Sequence, residues 1–433
     1  MGQLPPCLIR HCSHAKNAPA RDLASLAGEP SLFAASAAAK LERLQAGLAP
    51  LAGRYDAVVA NPPYMGAKNM NAWLGGWVKK RYPDVKGDLF SCFMVRNSRM
   101  GAEHAQLRFM TPYVWMFIGT YEKLREFVVK KNTITSLTQL EYSGFSGATV
   151  PICAFTLQKG LCPGYKGGYI RLSDFVGADQ QGPRALQALA DPDCGWFYRA
   201  DAMKFGAIPG SPVAYWASEA MRRAFLDGSP LSVQSIARDG IHTCDNDRFL
   251  RRWWEVSHKS SSLPPRGRLD AKWYAYNKGG AYRKWYGNNE YVINWADNGQ
   301  ELRSSPKAHG FNGTFAFRPS VTWSSISSGK PAFRQKSEGF MFDAAGYSMF
   351  DTSTVTRELL CGFANSTIAE SMLSFLSPTL NYQAGDIMSM PLVDLNEINA
   401  VSIEQTVVEC GHLSQVDWDT QETSWDFKRN PLV

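Results

Sequence analysis

A short apolar run, Tyr55–Ala60, stops abruptly at Asn61-Pro62-Pro63-Tyr64. Paired valines inside the run and a turn cluster directly behind it predict a buried parallel strand with its carboxyl end opening into a loop. In open α/β sheets that end of a strand is where ligands bind. Two successive prolines fix the backbone and remove amide donors, which leaves carbonyl acceptors exposed, and Asn61 adds a side-chain oxygen. A planar amino group can donate to both acceptors.

That pairing suits amine methylation. An exocyclic nitrogen whose lone pair is delocalised into a ring is a poor nucleophile until its hydrogens are drawn out of plane, which Asn61 and the Pro62 carbonyl can do. Tyr64 would stack on the ring of a base flipped from a duplex at a cost of a few kcal/mol. Stacking, at about 1–3 kcal/mol per base, offsets much of that. Asn-Pro and Pro-Pro are also ordinary loop dipeptides, so the string alone is equally a surface turn.

The flanking pattern extends the strand into an α/β unit. A helix is predicted over 34–51, another over Leu89–Met100 and an amphipathic one over 121–131, with strands over 107–111, 134–139 and 150–158. Residues 1–33 mix Pro, Ala, Ser and basic side chains without periodicity and are expected to be poorly ordered. After Lys159, Gly and Pro become frequent and the alternation fades. The expected division is a catalytic-type part over 34–160, a connecting region over 161–209, a mixed α+β module over 210–395 and a C-terminal extension over 396–433.

Composition narrows the function classes. Hydrophobic residues make up 45% of the 433 and charged residues 20%, a globular balance. Lys and Arg exceed Asp and Glu by 46 to 39, a mild basic excess compatible with a polyanionic partner. The 13 Trp and 17 Tyr cluster with Arg and Lys between about 248 and 335, and aromatic faces beside cations suit nucleotide contact. The nine Cys follow no paired spacing, so reduced thiols and a cytoplasmic location are expected. Cys7, His11, Cys12 and His14 are of zinc-ligand type, but no second ligand pair follows at finger spacing, so no metal is expected. No apolar run reaches the length of a membrane span.

The string YDAVVANPPY is similar to the strand and motif IV of class I amino-methyltransferases that use S-adenosylmethionine. Asn at its first position resembles the adenine-N6 type, and protein-glutamine methyltransferases share the Asn form. Further along, LRFMTPYVWMF with TYEKLREFVVKKN resembles the next strand and helix, and YSGFSGATVPICAFTLQK resembles the hairpin bearing a base-packing aromatic, here Phe145. Asp88, Leu89 and Phe90 correspond to a segment bordering the methyl-donor pocket. Five stretches, NPPYMG, GIHTCDNDRFLRRWWEV, YNKGGAYRKWYGN, TWSSIS and NYQAGDIMSMPL, together resemble PglX, the large adenine methyltransferases of BREX phage-defence systems.

The resemblance covers roughly residues 40–433. It implies a partial Rossmann-like methyltransferase sheet followed by a target-recognition module that binds double-stranded DNA, with S-adenosylmethionine as cofactor. Asn61, Pro62, Pro63 and Tyr64 would be catalytic, with Tyr64 and Phe145 sandwiching the base. Arg248, Arg251, Arg252, Lys278, Arg283 and Lys284 would contact DNA, Gly279 and Gly280 admitting its backbone, while part of that set would be a solvated charged face.

Two departures stand out. Residues 1–54 contain no Gly-x-Gly behind a strand, the family's donor loop, so the chain by itself is expected to show little or no methyl transfer. It would then be a piece of a larger protein or work with a separate chain that supplies the donor half, alongside other BREX proteins. Cys244 stands where the family tends to have Gly, at a tight turn. The readings left open are a DNA-recognition protein without catalysis and a protein-glutamine methyltransferase.

Overall fold

The computed structural model describes residues 32–142, 144, 150–264, 270–311, 313–327, 329–352, 355–378, 381–392 and 400–430. They divide into two compact units, the first running to Lys204 apart from residues 117–119, the second comprising those three and everything from Phe205 onward.

The first unit follows the predicted α/β order. Helix α1 (Leu32–Ala52) leads into β1 (Tyr55–Ala60), then α2 (Ala72–Arg81), α3 (Leu89–Met100), β2 (Gly101–Pro112), α4 (Glu122–Lys131), β3 (Asn132–Gln139) and β4 (Ile152–Lys159). β1 pairs parallel with β2, β2 antiparallel with β4, and β4 antiparallel with β3. Alternation along the strands sends Leu107, Phe109, Leu137, Phe155 and Leu157 to one face, where they are buried, as are Met94 of α3 and Leu124 and Val128 of α4. Each such side chain withdrawn from water contributes roughly 1.5–3 kcal/mol. The starts of α2 and α3 are capped by side chains: Asn71 accepts from the Leu74 amide and Asp88 from the Phe90 amide.

Two expectations change. β1 has the predicted parallel pairing but is not buried: it lies at the end of the sheet, no described strand pairs with its outer edge, and Val59 is 73% exposed. Among the described residues its apolar sequence packs only in part, with Val58 and Ala60 half-buried. Residues 161–209 are not a plain connection either, because β5 (Lys166–Arg171), α5 (Ala178–Ala190) and β6 (Phe197–Asp201) carry the sheet on to the order β1-β2-β4-β3-β5-β6. Gly167 and Gly168 erase the side-chain alternation that marks a strand in sequence. At Gly167 the glycine is required, since a Cβ there would sit 2.5 Å from the Ile134 carbonyl oxygen.

The second unit is α+β. Strands β7 (Ser229–Pro230), β8 (Ile236–Arg238), β9 (Leu250–Arg252), β10 (Ser261–Ser262), β11 (Trp273–Asn277), β12 (Tyr291–Asn294), β13 (Ser320–Trp323), β14 (Phe333–Lys336), β15 (Met341–Phe342), β16 (Ser348–Phe350) and β17 (Pro391–Leu392) form small sheets, of which β14-β13-β16-β8 and β10-β11-β12-β9 are the largest. Their principal core joins Val321, Trp323, Phe333 and Met349 to Leu360, Met372 and Phe375 from two helices, Arg357–Ala364 and Thr367–Leu376. Cys244 sits at φ +53°, the left-handed region that the expected glycine would occupy without strain. Among the described residues no single helix is long and apolar enough to cross a membrane.

Candidate active site

The site grows from the end of β1. Asn61 is the first residue beyond the strand and is exposed, Pro62 is buried, and Pro63 and Tyr64 are exposed. The Tyr64 hydroxyl donates to Asn61 Oδ1 at 3.0 Å and has a second acceptor, the Met110 carbonyl, at 3.3 Å. Partial burial, reinforced by the nearby Cys153 thiol, pushes the Tyr64 phenol up, so it stays a neutral donor.

Asp88 fixes the loop that follows. One carboxylate oxygen accepts from the Met65 amide at 2.9 Å and from the Phe90 amide at 3.2 Å. Backbone bonds from Leu89 to Met65 and from Ala67 to Gly87 close the same junction. Phe90, 1% exposed, meets the Tyr64 ring edge-on at 6.4 Å and the Tyr121 ring at 5.5 Å. Burial, with Asp88 adding to it, takes the Tyr121 phenol up to about 12. Tyr64 thus packs perpendicular to Phe90 while 38% of it stays exposed.

Asn61 also borders an open cleft of about 360 Å³ on the uncovered face of the sheet, with Val59, Arg108, Met110, Thr138, Ala154 and Thr156 among its walls. Neither Pro62 nor Tyr64 is among its walls. The period-two pattern of β2 and β4 already encodes these wall residues as the partners of the buried face, although nothing in the sequence says that the face is bare.

The residues expected to border the methyl donor, Asp88, Leu89 and Phe90, open α3 directly beside the Asn61–Tyr64 loop. Asp88 is engaged by two amides, Phe90 is buried between aromatic rings, and residues 1–54 hold no Gly-x-Gly loop. Phe145 lies outside the described residues, as do Cys7, His11, Cys12 and His14; among the described residues no cluster of three or more His, Cys, Asp or Glu is arranged to hold a metal.

The six cations expected at DNA are all in the second unit, each tied to a different internal partner. Arg248 pairs with Glu301 at 2.8 Å, Arg252 with Glu290, Lys278 with Asp343 at 3.5 Å and Arg283 with Asp417 at 2.7 Å. Arg251 donates to the Leu250 carbonyl at 2.6 Å and to that of Asp247, and Lys284 to the Asn365 carbonyl at 2.9 Å. Asp417 is 134 residues from Arg283, too far along the chain for the pairing to show in sequence.

Residues 27–145 match the Eco57I restriction-modification methylase family. Over 398 residues the chain is 36% identical to the adenine-specific methyltransferase PglX of Lacticaseibacillus casei (strain Zhang), covering 88% of this chain and 33% of that protein. The chain is similar to the PglX adenine-specific methyltransferases. A second such relative, adenine-specific methyltransferase BrxX of Escherichia coli O9:H4 (strain HS), is 35% identical over 391 residues, covering 88% of this chain and 31% of that protein. The chain therefore spans about a third of the length of the PglX-type relatives it matches. The fold also matches the Type IIL restriction-modification enzyme MmeI, solved in complex with DNA, with a TM-score of 0.54 at 10% identity, covering 87% of this chain and 51% of that one.

Proposed function

We propose that this chain forms the target-base side of a site-specific DNA adenine-N6 methyltransferase that works within a phage-defence system. The observation that carries the reading is the placement of Asn61 and Pro62 at the carboxyl tip of β1, with the partly exposed Tyr64 hydrogen-bonded to Asn61 beside them. A flipped adenine stacked on Tyr64 would donate one amine hydrogen to Asn61 Oδ1 and the other to the Pro62 carbonyl, drawing N6 toward a tetrahedral shape with its lone pair projecting. S-adenosylmethionine, held by a donor-binding half, would supply the methyl group. The carbonyl oxygen of Asn61 has two lone pairs, and the Met110 carbonyl offers the Tyr64 hydroxyl an alternative, so base entry need not break the loop.

Among the described residues no strand pairs with the outer edge of β1, which supports the view that the chain alone transfers little methyl. The test is to label DNA with radioactive S-adenosylmethionine, using the chain alone and the chain co-expressed with the donor-binding part of a PglX relative. The reading expects label on adenine N6 only in the second case. Label on protein glutamine, or none on DNA with both parts present and folded, overturns it.

A further inference from the structure

Four stretches far apart in sequence meet in the second unit around a polar cleft of about 620 Å³, contributed by residues 241–246, Lys278, Ser325 and residues 343–345. Asp343, 7% exposed, is held rigidly: one carboxylate oxygen accepts from the Tyr276 hydroxyl at 2.9 Å and the other from the Ala345 amide at 2.7 Å. Lys278 reaches the same carboxylate at 3.5 Å, which uses one of its three N–H bonds and leaves the others to the cleft. In the same cleft the Thr243 hydroxyl donates to Asn246 Oδ1 at 2.6 Å, which occupies that oxygen and leaves the NH2 group of the exposed Asn246 as the donor.

The cleft thus presents two fixed donors at nearly zero net charge, because Asp343 balances Lys278. That balance is poor for a phosphate, which favours unpaired cations, and good for a neutral group with two adjacent acceptors. In duplex DNA the guanine O6 and N7 in the major groove are such a pair, whereas adenine shows an acceptor beside a donor. We infer that Lys278 and Asn246 read a guanine edge and are specificity-determining residues, with Asp343 and Tyr276 positioning Lys278. This rests on the DNA-methyltransferase reading above.

The test is selection of bound duplexes from a randomised library by the full chain, followed by sequencing. Wild type is expected to enrich guanine at one position of its site, and Lys278→Met and Asn246→Ala each to flatten the preference there by about 10-fold, within the 1–3 kcal/mol of a base contact. Replacing that guanine by 7-deazaguanine weakens wild type to a similar degree, and this arm is independent of how the variants fold. Equal weakening on all sequences makes Lys278 a phosphate contact and overturns the inference, as does an unchanged profile or a wild type that binds with no base preference. Failure of wild type to bind DNA at all overturns the DNA reading itself.

Discussion

The Tyr64 hydroxyl donates to Asn61 Oδ1 at 3.0 Å, so the aromatic that would stack on the base is tied to the oxygen that would receive its amine. The two roles separate by substitution. Tyr64→Phe keeps the ring and leaves Asn61 fully available, and kcat/KM with the donor half present is expected within about threefold of wild type. Tyr64→Ala removes stacking worth about 1–3 kcal/mol, a fall of about 5- to 150-fold. Equal losses in both variants would mean that the hydroxyl, not the ring, is what matters.

Val59, 73% exposed, lies on β1, whose outer edge has no described partner and is where, under the proposed function, a donor-binding half would add to the sheet. A lysine there is the substitution that edge strands use to refuse a partner. Val59→Lys should leave the urea stability of the chain within about 0.5 kcal/mol, as for other surface changes. Association with the donor half, followed by sedimentation, should be lost. Retained association would place the partner elsewhere.

Lys336, 2% exposed, donates to the Gly287 carbonyl at 2.9 Å and to Asn289, and its charged form has no carboxylate beside it. Burial, with the buried Arg334 cation adding to it, holds the amine well below its ordinary value of 10.5. The unfolded chain therefore binds this proton more readily, and unfolding takes one up between the folded and unfolded values. Stability rises with pH across that window, up to 10.5. The difference in unfolding free energy between wild type and Lys336→Met should shift in favour of wild type as pH rises from about 7 toward 10. A pH-independent difference would show that the folded and unfolded states hold the proton alike.

Much of the first unit was legible because its strands alternate: Leu107, Phe109, Phe155 and Leu157 face helices, and such alternation is a local pattern. β5 and β6 were not, since Gly167 and Gly168 leave little pattern to read. Asn61 to Tyr64 could be named from four consecutive residues, whereas the cleft wall is assembled from β1 to β4 and depends on a face left bare. The cations at 248–284 were visible as charges only. Partners such as Glu301, Asp343 and Asp417 come from distant turns of the chain, and their pairing is set by tertiary packing.

The most direct measurement is the N6-methyladenine content of DNA, by mass spectrometry, from cells carrying the donor half with either wild-type chain or Asn61→Ala. Removing one preorganised acceptor from the reacting amine should lower methylation by on the order of 100-fold while DNA binding is kept. Methylation by Asn61→Ala at the wild-type level would contradict the proposed grip on the amine.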